Sequence, residues 1–207
     1  GRALRFGGVQ WGTEFALQPD LITFPLPGFG GVAALPSAVD VYVNNSLRSR
    51  QEVPAGPFQF SRIPVLTGGG QVQLVVTDLL GRTQVFETDF YAASQLLRAG
   101  LDDYSVEAGA DRRRYGLASD DYGRGFAAGT WRRGLNDALT GELHAESDGR
   151  RHVAGGGYSA LVPPLGVLSG GFVAGSGDND GTELSLAIER AMPQWSYGAS
   201  HVRTSRR

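Results

Sequence analysis

The sequence predicts an all-β fold, a partial transmembrane antiparallel β-barrel with a small Ig-like β-sandwich inserted into it. Three observations predict it. Apolar and polar residues alternate with period two in segment after segment, as half-buried strands require. Turn signals break these segments at short intervals in a chain of 207 residues with 31 Gly and 10 Pro, and the Gly shows no collagen-like period. No run approaches the ~20 apolar residues of a membrane-crossing helix. In lipid every backbone polar group must be satisfied internally, so a crossing without helices must be a closed barrel.

Composition removes several function classes. The net charge of -2 gives no basic footprint for nucleic acid. All 19 basic residues are Arg, and there is no Cys, which excludes disulfides and thiolate metal sites. The chain starts at Gly1 without Met, a basic leader or an apolar signal run, so it is expected to be an excised or mature internal segment.

Residues 1–25 hold one glycine-broken strand, Leu4 to Phe15, followed by a connection broken at Pro19 and Pro25. Residues 26–95 read as the sandwich. Ala38–Asn44 puts Val39, Val41 and Val43 on one face and Asp40 and Tyr42 on the other. Asn44-Asn45 is a tight hairpin signal, and Leu47–Val53 returns with Arg48 and Arg50 sharing a face. Pro54–Pro57 forms a corner, and Phe58 and Phe60 then alternate with Gln59 and Ser61. Gly68–Gly70 is expected to be a loop. Gln71–Thr77 buries Val72, Leu74 and Val76, and Leu80-Gly81 turns the chain into Thr83–Phe90. So small a sandwich buries a modest core and leans on its surroundings.

Residues 96–207 follow another rule. Segments lengthen to about ten residues, which a tilted membrane strand needs. In Ala138–Asp148, Leu139, Gly141, Leu143 and Ala145 oppose Thr140, Glu142, His144 and Glu146. In Gly181–Ala191, Leu184, Leu186 and Ile188 oppose Glu183, Ser185, Ala187 and Glu189. Similar segments cover Tyr104–Arg113, Tyr122–Arg133, His152–Val162, Gly166–Ser176 and Trp195–Thr204, joined by turns at Asp148-Gly149, Pro163-Pro164 and Asp178–Gly181. A soluble sandwich can alternate in the same way. What favours a barrel is segment length together with aromatics near the segment ends, Tyr115, Tyr122, Trp131, Trp195 and Tyr197, which fit an interfacial girdle.

No catalytic constellation stands out, and the chain reads as non-enzymatic, without metal or cofactor. His144, His152 and His201 lack metal-ligand spacing. Glu142 and Glu146 share a face, but residues four apart on a strand lie about 13 Å apart, beyond the carboxylate pairs of glycosidases. Neither glycine triplet is followed by the Lys-Ser/Thr of a phosphate loop, and no Gly-x-Ser-x-Gly elbow occurs. Asp102-Asp103 and Asp120-Asp121 flank turns and read as solvated. Arg112–Arg114 fits a solvated turn or a membrane edge facing anionic headgroups.

Five short motifs in order carry a resemblance. They are Gly8-Val9-Gln10 with Pro19-Asp20-Leu21, then Ala38–Asn44, then Val53–Phe58, then Thr77-Asp78 with Gly81-Arg82, and finally Leu96–Leu101 with Asp103-Tyr104-Ser105 and Gly109. Together they resemble the central region of the outer-membrane ushers of the chaperone–usher pilus pathway. Ala99 stands where many members have Pro. The resemblance implies a bacterial outer-membrane pore that secretes and assembles pilus subunits. Residues 26–95 would be its plug, and residues 1–25 and 96–207 part of a barrel of about two dozen strands. Implied partners are periplasmic chaperone–pilin subunit complexes and outer-membrane lipid, with a homodimer left open. Contacts between plug and lumen would gate the pore. Arg48, Arg50, Arg62 and Arg82 are the candidates on the plug, and Glu107, Glu142, Glu146 and Glu189 those on the polar strand faces. The rival from another class is a soluble Ig-like binding or adhesin fragment.

Overall fold

The structure is a computed structural model that describes residues 6–18, 20–112, 122–177 and 180–206. Tyr115, Asp120-Asp121 and parts of the expected Arg112–Arg114 run and Asp178–Gly181 turn lie outside the described residues. Among those described, fourteen strands form three sheets.

The largest sheet has eight strands in the order β1-β8-β9-β10-β11-β12-β13-β14. Its members are β1 (Phe6–Gly12), β8 (Asp102–Arg112), β9 (Tyr122–Asn136), β10 (Leu139–Ser147), β11 (Arg151–Val162), β12 (Gly166–Gly177), β13 (Gly181–Ala191) and β14 (Ser196–Arg206). All pairings are antiparallel, and β8 to β14 form the expected meander. β1 pairs directly with β8, from Phe6↔Asp111 to Gly12↔Ser105. Everything between Gly12 and Asp102 is therefore an insertion between neighbouring strands of one sheet.

The sheet's two faces differ as the alternation requires. One face carries Val9, Val106, Leu143, Phe172, Leu184 and Leu186, all large, apolar and exposed. The other carries Glu107, Glu142, Glu146 and Glu189 among Gly, Ser and Ala. Trp11, Tyr104, Trp131, Trp195 and Tyr197 stand near one end of the sheet on the apolar face. There the Trp11 Nε1–H donates to Tyr104 Oη (3.3 Å), and the Trp195 and Tyr197 rings stack 5.7 Å apart. Tyr122 reaches the same face near the opposite end because of a register shift between Ala110 and Arg112. Without that extra residue its side chain would point to the polar face. β14 breaks the rule. Its pairing sets His201 and Arg203 opposite Leu186 and Leu184 on the apolar face. Arg203 lies close enough to the strand end for its long side chain to reach headgroups.

The inserted domain packs a four-stranded sheet, β4-β3-β6-β7, against the two-stranded β2-β5. The strands are β2 (Phe29–Ala33), β3 (Ser37–Val43), β4 (Ser46–Val53), β5 (Gly56–Phe60), β6 (Gly68–Asp78) and β7 (Thr83–Ala92). Val39, Val41 and Val43 of β3 and Val72, Leu74 and Val76 of β6 form the core with Phe60, Ile63, Val65, Phe90 and Ala92. Asn44 and Asn45 both take positive φ (48° and 65°), the backbone of a two-residue hairpin turn that follows strand twist.

Three expectations need correction. Gly68–Gly70 is not a loop but the start of β6, paired with Ala92, Tyr91 and Phe90. The glycines serve close approach, since a Cβ at Gly70 would lie 2.7 Å from the Phe90 ring. β1 stops at Gly12 and does not reach Phe15, because Phe15–Leu17 forms a 3₁₀ turn capped by Glu14, whose carboxylate accepts from the Ala16 N–H (3.2 Å). Arg48 and Arg50 do not follow simple alternation. A bulge sets Tyr42 opposite Leu47 and Val41 opposite Ser49, leaving Arg48 as the extra residue.

Candidate functional site: the seam between the inserted domain and the sheet

Both connections to the inserted domain leave from the same end of the sheet. The incoming one is tied by Thr13, whose N–H donates to Tyr104 O (2.9 Å) and whose hydroxyl donates to Asp103 Oδ1 (2.5 Å). The outgoing one, residues 93–101, lies on the polar face. The Leu97 N–H donates to the hydroxyl of Thr140 (2.7 Å), which is only 2% exposed. Thr140 sits opposite Gly134 in the β9–β10 pairing, and a Cβ at Gly134 would collide with the Leu97 and Arg98 carbonyls. The Gly100 N–H donates to Gly134 O (2.8 Å), and the Gly134 N–H donates to Leu101 O (3.0 Å). The Ala99 N–H donates to Asp137 Oδ1 (3.0 Å). Ala93 and Leu96 are buried against Val167 of β12.

Arg132 joins this connection to two wall strands. Its guanidinium donates to Gln95 O (2.9 Å) and pairs with Asp103 on β8 (3.5 Å) and Glu142 on β10 (3.3 Å). Asp102 and Asp103, expected to be solvated, are therefore partnered at the start of β8. Asp102 accepts from Trp131 Nε1 (3.0 Å) and faces Arg133 (3.6 Å). Gln95 also donates from its side-chain amide to Glu189 on β13. A cavity of about 560 Å³ opens in the seam, lined by Leu21, Ile22, Phe24, Arg62, Arg98 and Asp137 among others.

Four of the eight charged candidates, the glutamates, share the polar face of the sheet, as their spacing implied. The arginines do not meet them in this conformation. Arg50 makes a two-pronged pair with Asp40 on the neighbouring strand (2.5 and 2.6 Å), which holds the Asp40 carboxyl below its usual range through hydrogen bonding, against a smaller opposing effect of burial. Arg82 pairs with Asp78 across its own turn (2.7 Å). Arg62, at φ 58°, lines the cavity, and Arg48 occupies the bulge. Glu107 accepts from Gln10 (3.2 Å), Glu142 pairs with Arg132 (3.3 Å), and Glu146 lies 3.6 Å from His144. Glu189 alone of the four reaches the outgoing connection among the described residues.

Sequence reasoning missed Arg132, Thr140 and Gly134. Each looked like an ordinary member of an alternating strand. The available signal was a buried-side Thr facing a Gly across a hairpin, a place where another backbone can lie down. Replacing Thr140 by Val keeps the shape but leaves the Leu97 N–H unsatisfied, at a cost of about 1–3 kcal/mol. The expected result is faster hydrogen exchange at Leu97 and Ala99, with exchange in β10 unchanged.

Comparison with known proteins agrees with this architecture. The family model described as outer membrane usher protein matches residues 3–171. The F1 capsule-anchoring protein of Yersinia pestis is 27% identical over 162 residues, covering 78% of this chain and 19% of that protein. The outer membrane usher protein FaeD of Escherichia coli is 27% identical over 195 residues, covering 92% of this chain and 23% of that protein. The chain thus spans about a fifth of the length of these curated relatives. Among solved structures, the cryo-EM E. coli P pilus tip assembly intermediate PapC-PapD-PapK-PapG shares the fold at a TM-score of 0.58 and 19% identity, over 90% of this chain and 25% of the matched chain. With most of its length matched by one family model, the chain belongs to the outer membrane usher family, and its eight-stranded sheet is part of a barrel in the bacterial outer membrane.

Proposed function

We propose that this chain is the central part of a gated outer-membrane pore that secretes and assembles pilus subunits delivered by a periplasmic chaperone. Residues 26–95 are its plug, flanked by barrel segments 1–25 and 96–207. The observation that carries this reading is the pairing of β1 with β8. A domain inserted between two neighbouring wall strands, with its outgoing connection on the polar face, is placed to fill a lumen and needs only its seam contacts undone to leave. The work of such a pore is conduction and handover, and no catalytic step is assigned to it. Within this reading Glu189, through Gln95, is the charged candidate best placed to gate. The exposed apolar face, with Phe172 half exposed among Leu143 and Leu184, argues against the soluble adhesin fragment.

Excision tests the reading. Because Gly12 and Ser105 are paired neighbours, a short Gly-Ser link can replace residues 18–98 in the full-length usher without breaking the wall. Conductance in planar bilayers is expected to rise about tenfold or more, as a wide barrel loses its filling. Unchanged conductance from a folded barrel would refute the plug assignment.

A further inference from the structure

The inserted domain touches the sheet at a second place, remote in sequence from its connections. The end of its sheet formed by Gly68, Gly69 and Tyr91 rests on the turn between β13 and β14. Met192, the one methionine of the chain, sits directly over Gly69, where a Cβ would overlap its sulfur and approach its methyl group. Beside it the Ala191 N–H donates to Tyr91 Oη (3.0 Å), and the Arg190 guanidinium stacks over the Tyr91 ring at 5.5 Å.

The two attachments differ in kind. Among the described residues, the outgoing connection is held by six backbone or side-chain hydrogen bonds to β9, β10 and their turn, around the buried Thr140. The Met192 contact is a knob in a hole. Its knob stands on a stiff turn, closed by the Met192 N–H to Trp195 O (2.8 Å) and backed by stacked Trp195 and Tyr197. Its hole exists because residue 69 has no side chain. A thioether withdraws from such a seat without leaving a charge unpaired. Among the described residues, the neighbouring Arg190 Nε is buried without a hydrogen-bond partner.

We propose that Met192 seated on Gly69 is the latch of the gate, and that the 93–101 connection is the pivot that stays attached when the latch lets go. This rests on reading the inserted domain as a plug. The plug would then swing away from the β13–β14 turn about the β9–β10 end, with little dependence on salt, because the latch is uncharged apart from Arg190.

Paired substitutions in the full-length usher test it. Gly69→Ala, which drives a methyl into Met192, should raise the frequency of spontaneous openings in planar bilayers about tenfold. Met192→Ala should also raise it. Combining them should bring the frequency back at least about threefold from the Gly69→Ala level, because the new methyl fills the space that the thioether vacates. The plug-excised pore serves as the reference for full opening. If excision raises conductance while both single variants gate like wild type, or the double variant shows no recovery, the latch is overturned and the plug stands. If excision changes nothing, the plug reading fails and takes the latch with it.

Discussion

Leu74→Ala in the full-length usher is expected to open the proposed pore while the barrel stays in the membrane. Leu74 is 0% exposed in the inserted core and faces Val41 across the β3–β6 pairing. Removing its methyl groups costs about 2–5 kcal/mol, transfer and cavity together. A domain this small has little to spare, since total stabilities of about 5–15 kcal/mol are usual for larger ones. At about tenfold per 1.4 kcal/mol, the unfolded fraction of the domain rises about thirtyfold or more. An unfolded insert retains its two connections but no longer fills space. The expected reading is a raised mean conductance in planar bilayers, with the barrel still resistant to SDS until heated. Loss of that resistance would show that the two parts fold as one unit and not as wall and insert.

The second large effect lies on the opposite face of the wall. Phe172 is near the middle of β12, half exposed on the apolar face, opposite Gly156 and Leu184. Phe172→Arg places a guanidinium in the hydrocarbon, at about 2–4 kcal/mol near the bilayer midplane. Ser185→Arg, one strand away on the polar face, projects into water and should cost far less. Refolding into lipid vesicles followed by urea titration separates the two. The first variant is expected to lose much of its folded yield and the second to keep it. Equal losses would mean that the faces are misassigned.

These effects sit on features of unequal legibility. The cores of β3 and β6 and the faces of β10 and β13 could be read directly, because period-two alternation is a one-dimensional pattern. The Asn44-Asn45 turn was legible for a related reason, since positive φ at two successive residues selects few side chains. Gly68–Gly70 was misread because glycine marks both loops and close approach. Which applies depends on residues distant in sequence, Met192 for Gly69 and Phe90 for Gly70. The arginines of the inserted domain were expected, from the resemblance and their charge, to be candidates for contact with the glutamates of the polar strand faces. Arg50 and Arg82 instead found carboxylates on an adjacent strand and within a turn, where the cost of ordering a pair is lowest. The seam was the least legible part. Thr140, Gly134 and Arg132 acquire their roles only when the outgoing connection lies across them, and no local period records that.

The polar wall beneath the proposed plug also has a consistent chemistry. Gly155, Gly157, Gly171 and Ser185 give β11 to β13 a low-relief surface, with Glu142 and His144 at its margin. Few long side chains project there, and Glu142 at its margin is paired with Arg132 of the neighbouring strand. A surface of this kind suits passage better than retention.

If the inserted domain is the plug, it must move for the pore to conduct, and a reversible tether tests that most directly. The chain has no cysteine of its own, so Gly69→Cys with Met192→Cys introduces a single pair at the seam. A Cβ at position 69 would lie 3.5 Å from the Met192 Cγ, the place a cysteine sulfur at 192 would take in the same rotamer. The full-length usher carrying the oxidised pair is expected to stay at the closed conductance level, with openings returning once a reductant is added to the same bilayer. Openings of the same frequency and size before and after reduction, in protein whose cross-link has been confirmed, would contradict a moving plug.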